Sequence, residues 1–288
     1  MVDGGTSTGG RPGHGARMAA SVPVAWRYAW LLVAVALLAA CVSTPKHTAP
    51  PPVAPPPPAP VARWMPIGSS IERRPLLVAQ SGSGPLRVYL IGGVHGDETE
   101  GRSVLESVKN QAGSAATIRI LRDLNPDGTA ARSRVNARGH DLNRNWPATN
   151  FKPGPEGGFS PLSEPETQVL ERDLRAFRPD VVVVLHSMSL GPLVNYDGPA
   201  DRLANAFAGA ARSVSPEWYV RPDMGYETSG SLGSYLGIDQ QLPILTIELK
   251  RGQDEASAAT ALQIGLAAMI RVGQARRMDV APLQGIQR

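Results

Sequence analysis

Cysteine is almost absent from the 288-residue chain, which contains only Cys41. A single cysteine cannot form a disulfide within the chain, and it cannot build a cysteine-based metal cluster. Excess charge is also absent from most of the chain. The net charge is +4, and residues 1–61 carry +3 of it because four basic residues there face only Asp3, which leaves +1 for the remainder. The remainder therefore lacks the basic surface of a nucleic-acid-binding protein, and we predict no nucleic-acid partner.

An apolar run long enough to span a bilayer comfortably is missing from the N-terminal region. Residues 29–40 are apolar but short and end in small residues, which is the layout of a secretory signal. Residues 38–41 resemble the bacterial lipobox, after which the cysteine is acylated. We therefore predict an N-terminal extension and lipoprotein-type signal peptide over residues 1–41, with Met1 or Met18 as the start. A plain signal peptide or an anchor helix is the alternative.

Residues 42–62 are a predicted proline-rich linker. The prolines concentrate in residues 50–60, and such a tract adopts polyproline II and cannot pack a core. At about 3.1 Å per residue, it would hold a domain several tens of Å from a membrane. A ligand for a proline-binding module is the alternative. We predict a periplasm-facing lipoprotein of the cell envelope, at the outer membrane, whose only membrane contact is the lipidated Cys41.

Residues 63–288 have a globular composition in which strands alternate with helices. We predict a single α/β domain with a mixed, largely parallel central sheet flanked by helices. The predicted strands are 86–91, 117–121, 181–185 and 244–250. The predicted helices are 99–112, 200–213 and 255–276, and a further helix begins after Ser163. Asp97 and Glu100 have the spacing of a capping box at the start of helix 99–112, and Gly113 would follow its end. Ser163 and Glu166 have the same spacing at the start of the helix after Ser163. Residues 125–128 predict a turn and residues 147–162 a loop.

Residues 134–147 concentrate arginine and asparagine side chains. Arginine holds a carboxylate through two parallel charged hydrogen bonds, and asparagine adds a neutral donor. The stretch therefore predicts a pocket for an anionic group, most simply a substrate carboxylate, and an exposed basic loop is the alternative. The side chains concerned are Arg134, Arg138, Asn143, Arg144 and Asn145.

Ionisable residues stand where predicted strands end, which is where ligands collect in open α/β sheets. His95 and Glu98 are three residues apart and can turn toward one point, and His186 ends another strand. Two histidines and a glutamate with an open fourth position are typical of a catalytic zinc site. Glu248 suits a general base that takes a proton from the attacking water and passes it to the leaving amine. A core histidine at 186 and a buried salt bridge at 248 are the alternatives.

With these pieces assembled, the chain resembles the zinc carboxypeptidase (funnelin) family over about residues 65–275. The matching motifs occur in the family's order. They are His95-Gly-Asp-Glu98, Arg134-Val-Asn136, Gly139-His-Asp-Leu-Asn-Arg-Asn-Trp146, Leu185-His186-Ser187 and Thr246-Ile-Glu-Leu249.

The resemblance implies a role for each matching residue. One Zn²⁺ ion would be bound by His95, Glu98 and His186. Arg134 would polarise the scissile carbonyl and hold the oxyanion, and Glu248 would be the general base. Asn143 and Arg144 would bind the free carboxylate of a peptide substrate. Tyr226, which stands 22 residues before Glu248, would cover the bound terminus, with Tyr235 as the other possibility.

Within the family, the chain resembles the compact bacterial amidases that cut murein peptides between γ-D-Glu and meso-diaminopimelate. Residues 163–167 and 226–234 carry this similarity. The predicted substrate is therefore the murein tripeptide. Enzymes of that type also occur in the cytoplasm, so the signal is a departure, and a second departure is His140, where the family usually has Val, Thr or Ile.

Three other functions stay open at this point. The same chemistry could act on protein C-termini, and no aspartate is visible around residues 230–232 to favour Lys or Arg there. An N-acyl amino acid deacylase of the wider superfamily would use a related His-x-x-Glu motif. A non-catalytic lipoprotein that binds cell-wall peptide is the third, although such relatives usually lose a ligand or the base.

Overall fold

The computed structural model describes residues 62–109 and 115–284. The predictions for the signal peptide, Cys41, the linker up to residue 61 and Gly113 lie outside the described residues.

Eight strands form one sheet, and the predicted mixed, largely parallel architecture is confirmed. The order is β1-β2-β4-β3-β5-β8-β6-β7, in which β4, β3, β5 and β8 are mutually parallel. The strands β1, β2 and β6 pair antiparallel to their inner neighbours on either side of this block. Their bounds are β1 Met65–Ser69, β2 Pro75–Ser81, β3 Leu86–Ile91, β4 Ala116–Leu121, β5 Val181–Met188, β6 Leu193–Asp197, β7 Tyr219–Val220 and β8 Ile244–Lys250.

The four predicted strands are the parallel ones, and the four that sequence reasoning missed lie at the edges. The parallel strands are recognisable because they are buried on both faces and are apolar at nearly every position. The edge strands are short and contain proline, glycine or polar residues, which gives them little pattern to recognise. Among them, β6 is the one that later contributes to the candidate site.

Helices cover both faces of the sheet. The α-helices are α1 Glu100–Val108, α2 Pro126–Ala131, α3 Pro165–Phe177, α4 Asp201–Ala211 and α5 Glu255–Gln284, and Leu142–Arg144 and Gly233–Asp239 form a 3₁₀ turn and a short π-helix. One core lies between the sheet and α1, α4 and α5, and a second lies between the sheet and α3 together with Leu142 and Trp146. The stretch Glu255–Ala275 of α5 is long and apolar enough to cross a membrane, but half of its most apolar window is buried. Its residues Leu262 and Met269 belong to the first core.

Both predicted capping boxes are wrong, because neighbouring loops engage the carboxylates. Helix α1 follows Thr99 without a side-chain cap, and Glu100 accepts hydrogen bonds from Ser187 Oγ and the Gly252 N–H. Helix α3 has Glu164 at its N-cap and Pro165 in its first turn. Ser163 instead donates to Glu164 Oε1 at 3.0 Å.

Two further boundaries differ from the predictions. The predicted turn 125–128 is the start of α2, where the Asn125 side chain accepts from the Gly128 N–H at 2.9 Å. Helix α5 continues to Gln284, beyond the predicted end at 276. The predicted loop at 147–162 contains no helix or strand, only an isolated bridge between Gly154 and Gly158.

Candidate active site

Three predicted metal ligands converge at the carboxyl ends of β3 and β5. His95 and Glu98 lie on the turn after β3, and His186 lies near the end of β5. The turn is tight: a Cβ on Gly96 would come within 2.0 Å of the Gly128 carbonyl carbon. Glycine is therefore needed there for the turn to hold His95 and Glu98 against α2.

The ligand atoms face one another at short range. His95 Nδ1 lies 3.1 Å from His186 Nδ1. Glu98 Oε1 lies 2.9 Å from His95 Nδ1, and Glu98 Oε2 lies 2.8 Å from His186 Nδ1. Two nitrogens on a tetrahedral zinc ion, each about 2.0–2.1 Å from it, lie about 3.3 Å from each other. The nitrogen and oxygen donors and their spacing therefore fit zinc.

The ligand histidine His95 is oriented by a residue that sequence reasoning missed. Asp141 Oδ1 lies 3.0 Å from His95 Nε2, which leaves Nδ1 free for the metal. Such a carboxylate fixes the orientation of a ligand histidine and raises its basicity. Asp141 also accepts from the Asn143 N–H at 2.7 Å and from Arg134 Nε at 3.1 Å. Its place between the two arginine motifs was the signal that could have indicated this role.

Charge balance around the ligands depends on these contacts. Burial alone would raise the pKa of Asp141, but the hydrogen bond and charge of His95, with the charges of Arg134 and Arg144, hold its pKa well below the usual range. Burial would likewise raise the pKa of Glu98, yet His186 and His95 hold it low. Both carboxyls are therefore ionised near neutral pH.

Glu248 stands directly beside the ligand set. It lies in β8 in register with His186 in the parallel neighbour β5, so both side chains project from the same face of the sheet. Burial raises the pKa of Glu248 above its ordinary value, which moves it toward the operating range of a general base. Among the described residues, no salt bridge joins Glu248 to an arginine. The alternative that Glu248 serves a buried salt bridge is therefore not supported among them.

All eight predicted site residues line one cavity of about 320 Å³ at this end of the sheet. Arg134, Asn143, Arg144 and Tyr226 complete the set, with Tyr226 59% exposed. The Asn143 Oδ1 accepts from the Leu232 N–H at 3.1 Å, and Arg144 Nη1 donates to the Asn143 carbonyl at 2.9 Å. The alternative tyrosine, Tyr235, lies elsewhere: it stacks on Trp146 and donates to Glu171 Oε1.

The rest of the predicted anion stretch does not line the cavity. Asn145 is fully buried and donates to Ser163 Oγ and to the carbonyl of Gly157, which ties the 147–162 loop to the start of α3. His140 Nδ1 lies 2.8 Å from Glu164 Oε1, so this departure from the family pattern is engaged outside the cavity.

An aspartate does line the cavity, contrary to the expectation that none stood near residues 230–232. Asp197, the last residue of β6, lies against Gly233: its Oδ2 would be 2.2 Å from a Cβ placed there. Its carboxylate makes no hydrogen bond or ion pair within the described part of the chain, and burial raises its pKa. Sequence reasoning missed Asp197 because β6 was not predicted. Arg251, just beyond β8, is a second unpredicted charged residue of the cavity lining.

An α/β sheet that presents two histidines, a glutamate ligand and an unpaired glutamate in a cleft defines a metal-dependent hydrolase. The chain belongs to the zinc carboxypeptidase family, which matches residues 60–247. The family is zinc-dependent, and this chain is a hydrolytic enzyme. The matched range contains His95, Glu98 and His186, and Glu248 follows directly after it.

Similar proteins include murein peptide amidase A of Escherichia coli K12, which is 32% identical over 191 residues, or 58% of this chain and 73% of that protein. The crystal structure of a murein-tripeptide amidase from Escherichia coli O157 superposes with a TM-score of 0.56 at 26% identity, over 74% of this chain and 97% of that one. Carboxypeptidase A from Helicoverpa armigera shares the fold, with a TM-score of 0.61 at 18% identity, over 75% of this chain and 69% of that one.

Proposed function

We propose that this chain is an amidase that uses one zinc ion to cleave the bond between γ-D-Glu and meso-diaminopimelate in murein peptides. The observation that carries the proposal is the pairing of two kinds of charge in one cavity. Asn143 and Arg144 supply donors for a free carboxylate, and Asp197 supplies an unpartnered carboxylate for a cation. Diaminopimelate carries both partners, because its side chain ends in a second amine and carboxylate. The similarity to murein amidases supports the same substrate.

The proposed mechanism assigns the chemistry to residues around the ligand set. Zinc held by His95, Glu98 and His186 would act as a Lewis acid toward the carbonyl and make water more acidic. Glu248 accepts a proton from the attacking water and delivers it to the leaving amine of diaminopimelate. The water oxygen bonds to the carbonyl carbon and the amide C–N bond breaks. The acyl fragment is released as a carboxylate, and its remaining proton passes to the freed amine.

Arg134 stabilises the oxyanion that develops on the scissile carbonyl. Its guanidinium is held by two contacts to Asp141 Oδ2, at 3.1 Å from Nε and 3.0 Å from Nη2, so it is oriented before the substrate arrives. Its side chain is 47% exposed and therefore accessible from the cavity. Tyr226 would close over the bound diaminopimelate from the exposed rim of the cavity.

A carboxypeptidase acting on C-terminal lysine or arginine is the second candidate. Asp197 also favours this function, because an unpartnered carboxylate on the cavity wall would pair with any cationic side chain. The same carboxylate argues against apolar terminal residues, since their burial against it would leave the charge unpaired.

The test is mass spectrometry of L-Ala-γ-D-Glu-meso-diaminopimelate incubated with the zinc-loaded enzyme, with Glu248→Gln as the blank. Peptides ending in lysine and in leucine are run in parallel. Release of diaminopimelate by the wild type alone would support the murein amidase and the general base together. Release of lysine without diaminopimelate would favour the second candidate, and no release from a folded, zinc-loaded enzyme would contradict both.

The proposed place of action is the cell envelope, where murein lies. The support comes from the sequence alone: the apolar residues 29–40, Cys41 at the lipobox position and the proline-rich linker. Membrane fractionation of cells that express the full chain tests this. Wild type should sediment with outer membranes, and Cys41→Ser should not. Equal recovery of both variants in the soluble fraction would contradict a lipid anchor.

A further inference from the structure

Arg251 is a charged residue of the cavity lining that the proposed mechanism leaves unused. It directly follows β8, three residues after Glu248. Its backbone N–H donates to the Met188 carbonyl at 3.1 Å, which fixes the β8 end against the β5 end. The side chain is 43% exposed, so a ligand in the cavity can reach it.

The guanidinium of Arg251 retains donors for a ligand. Its Nη2 donates to Asp97 Oδ2 at 3.2 Å and lies 3.9 Å from Glu98 Oε1, and its Nε donates to the Ser187 carbonyl at 3.4 Å. Within the described residues, Nη1 makes no hydrogen bond. An exposed ion pair such as that with Asp97 adds little stability. The two Nη1 hydrogens are therefore open to an incoming carboxylate.

Arg251 lies on a different wall of the cavity from Asn143 and Arg144, the pair that would bind the free carboxylate of the amine-side residue and is called the clamp below. Asn143 and Arg144 pack against the 230–232 segment and the 156–157 loop. The polar contacts given for Arg251 within the described residues are instead with the turn after β3 and with the end of β5. A substrate whose amine-side residue occupies the clamp, with its scissile carbonyl at Glu248, has its acyl-side residue at the other wall. Placed beside the ligand-bearing turn after β3 and not beside Asn143 and Arg144, Arg251 is available to the acyl side of the scissile bond.

We infer that Arg251 is a specificity-determining residue that binds a free carboxylate on the acyl-side residue of the substrate. A glutamate linked through its γ-carboxyl keeps its α-carboxylate free, and the side-chain methylenes and the α-carbon separate that group from the scissile carbonyl. An ordinary α-linked residue has no such group, because its only main-chain carboxyl forms the scissile bond. Arginine suits the task because its planar fork binds a carboxylate through two parallel hydrogen bonds. This inference rests on the proposed function and assigns it a second recognition point.

The test compares two tripeptides that differ only in the D-glutamate α-group. One is L-Ala-γ-D-Glu-meso-diaminopimelate, and in the other the α-carboxylate is a carboxamide. We expect wild type to prefer the acid by about 10–100-fold in kcat/KM, the range of a charged hydrogen bond. Arg251→Gln should bring the ratio close to one, and Arg251→Lys should restore part of it. Arg202→Gln, an exposed arginine on α4, is the charge-matched control and should retain the wild-type ratio.

Each outcome bears on one claim. An acid-to-amide ratio near one for wild type overturns the role of Arg251 and leaves the amidase function standing. A wild-type acid-to-amide ratio retained in Arg251→Gln, whether or not zinc content falls, would mean that Arg251 does not bind the α-carboxylate, which also overturns it. Cleavage of neither tripeptide by the zinc-loaded wild type removes the proposed function and this inference with it.

Discussion

The two halves of the cavity are held by different parts of the fold. The metal half consists of His95, Glu98, His186 and Glu248, and it lies in or directly after the parallel strands β3, β5 and β8. The amine-side half depends on Arg144, Tyr226 and Asp197, which come from a 3₁₀ turn, an irregular segment and the antiparallel strand β6. The ends of parallel strands and the tight turn after β3 hold the first half, whereas a 3₁₀ turn, an irregular segment and an antiparallel strand hold the second.

The residues that carry out the reaction are therefore supported differently from those that recognise the substrate. A ligand or base that moves by a fraction of an ångström loses its chemistry, so rigid strand ends are suitable supports for it. A wall that recognises a side chain can be built from loops, and loops accept sequence change more readily. Changes in the metal half should therefore abolish turnover, and changes in the amine-side half should mainly redirect it.

The largest effect is expected from removing a ligand. His186→Ala takes away one of three donors, so zinc should be lost and kcat/KM should fall on the order of 10³-fold or more. Chelation of the wild type should give the same loss, and added zinc should reverse it. Activity and zinc content by mass spectrometry measure both. His140→Ala, a histidine outside the cavity, is the matched control and should keep its zinc.

A smaller effect is expected at the residue that orients a ligand. Asp141→Asn keeps the side-chain size but removes the charge that pairs with His95 Nε2. Zinc affinity should fall about 10–100-fold, the usual cost of losing such an outer partner. Competition with a zinc-binding dye measures it. Unchanged affinity would mean that the turn after β3 orients His95 without Asp141, which would make the metal half more rigid than we infer.

The amine-side half should respond with a change of preference. Asp197→Asn removes the carboxylate expected to bind the diaminopimelate amine, so kcat/KM for the tripeptide should fall about 5–100-fold. Cleavage of a matched tripeptide ending in an apolar residue should hold steady or rise. Zinc content should not change. An equal loss of kcat/KM on both substrates would mean that Asp197 supports the reaction itself and not substrate preference, which would contradict the division between the two halves.

The smallest effect is expected at the rim. Tyr226→Phe removes one hydroxyl from an exposed side chain, so KM should rise less than about 10-fold, with kcat nearly unchanged, as for the loss of one neutral hydrogen bond. Steady-state kinetics on the tripeptide separates the two constants. A large fall in kcat would show that Tyr226 acts on the reacting atoms.

The sequence was most informative where structure is local. The parallel strands are apolar at most positions, and β5 and β8 carry His186 and Glu248 near their ends, so the architecture and these two site residues could be predicted. The three-residue spacing of His95 and Glu98 is a weak signal alone, and it gained meaning from His186 at the end of another strand. Asn143 and Arg144 were predicted because their motif is a contiguous stretch.

Prediction failed where position depends on pairing between distant segments. Asp197 reaches the cavity because β6 pairs antiparallel with β8. The residues next to Asp197 in the sequence do not predict this pairing. Asp97 and Glu100 have capping-box spacing, but Arg251 and Ser187, which are distant in sequence, form hydrogen bonds with them instead. Arg251 follows the end of a predicted strand, but its proposed role in substrate recognition depends on which wall of the cavity it occupies, and the sequence does not show this.

The register between β5 and β8 has a consequence for how this enzyme can diversify. His186 and Glu248 are direct neighbours across the ladder, and a one-residue insertion within either strand would turn one of them to the opposite face. Insertions in the 147–162 loop or in the segment that carries Tyr226 would leave that pair in place. Changes of length are therefore expected to accumulate in those two segments among variants that remain active, so a library of new specificities is best built there.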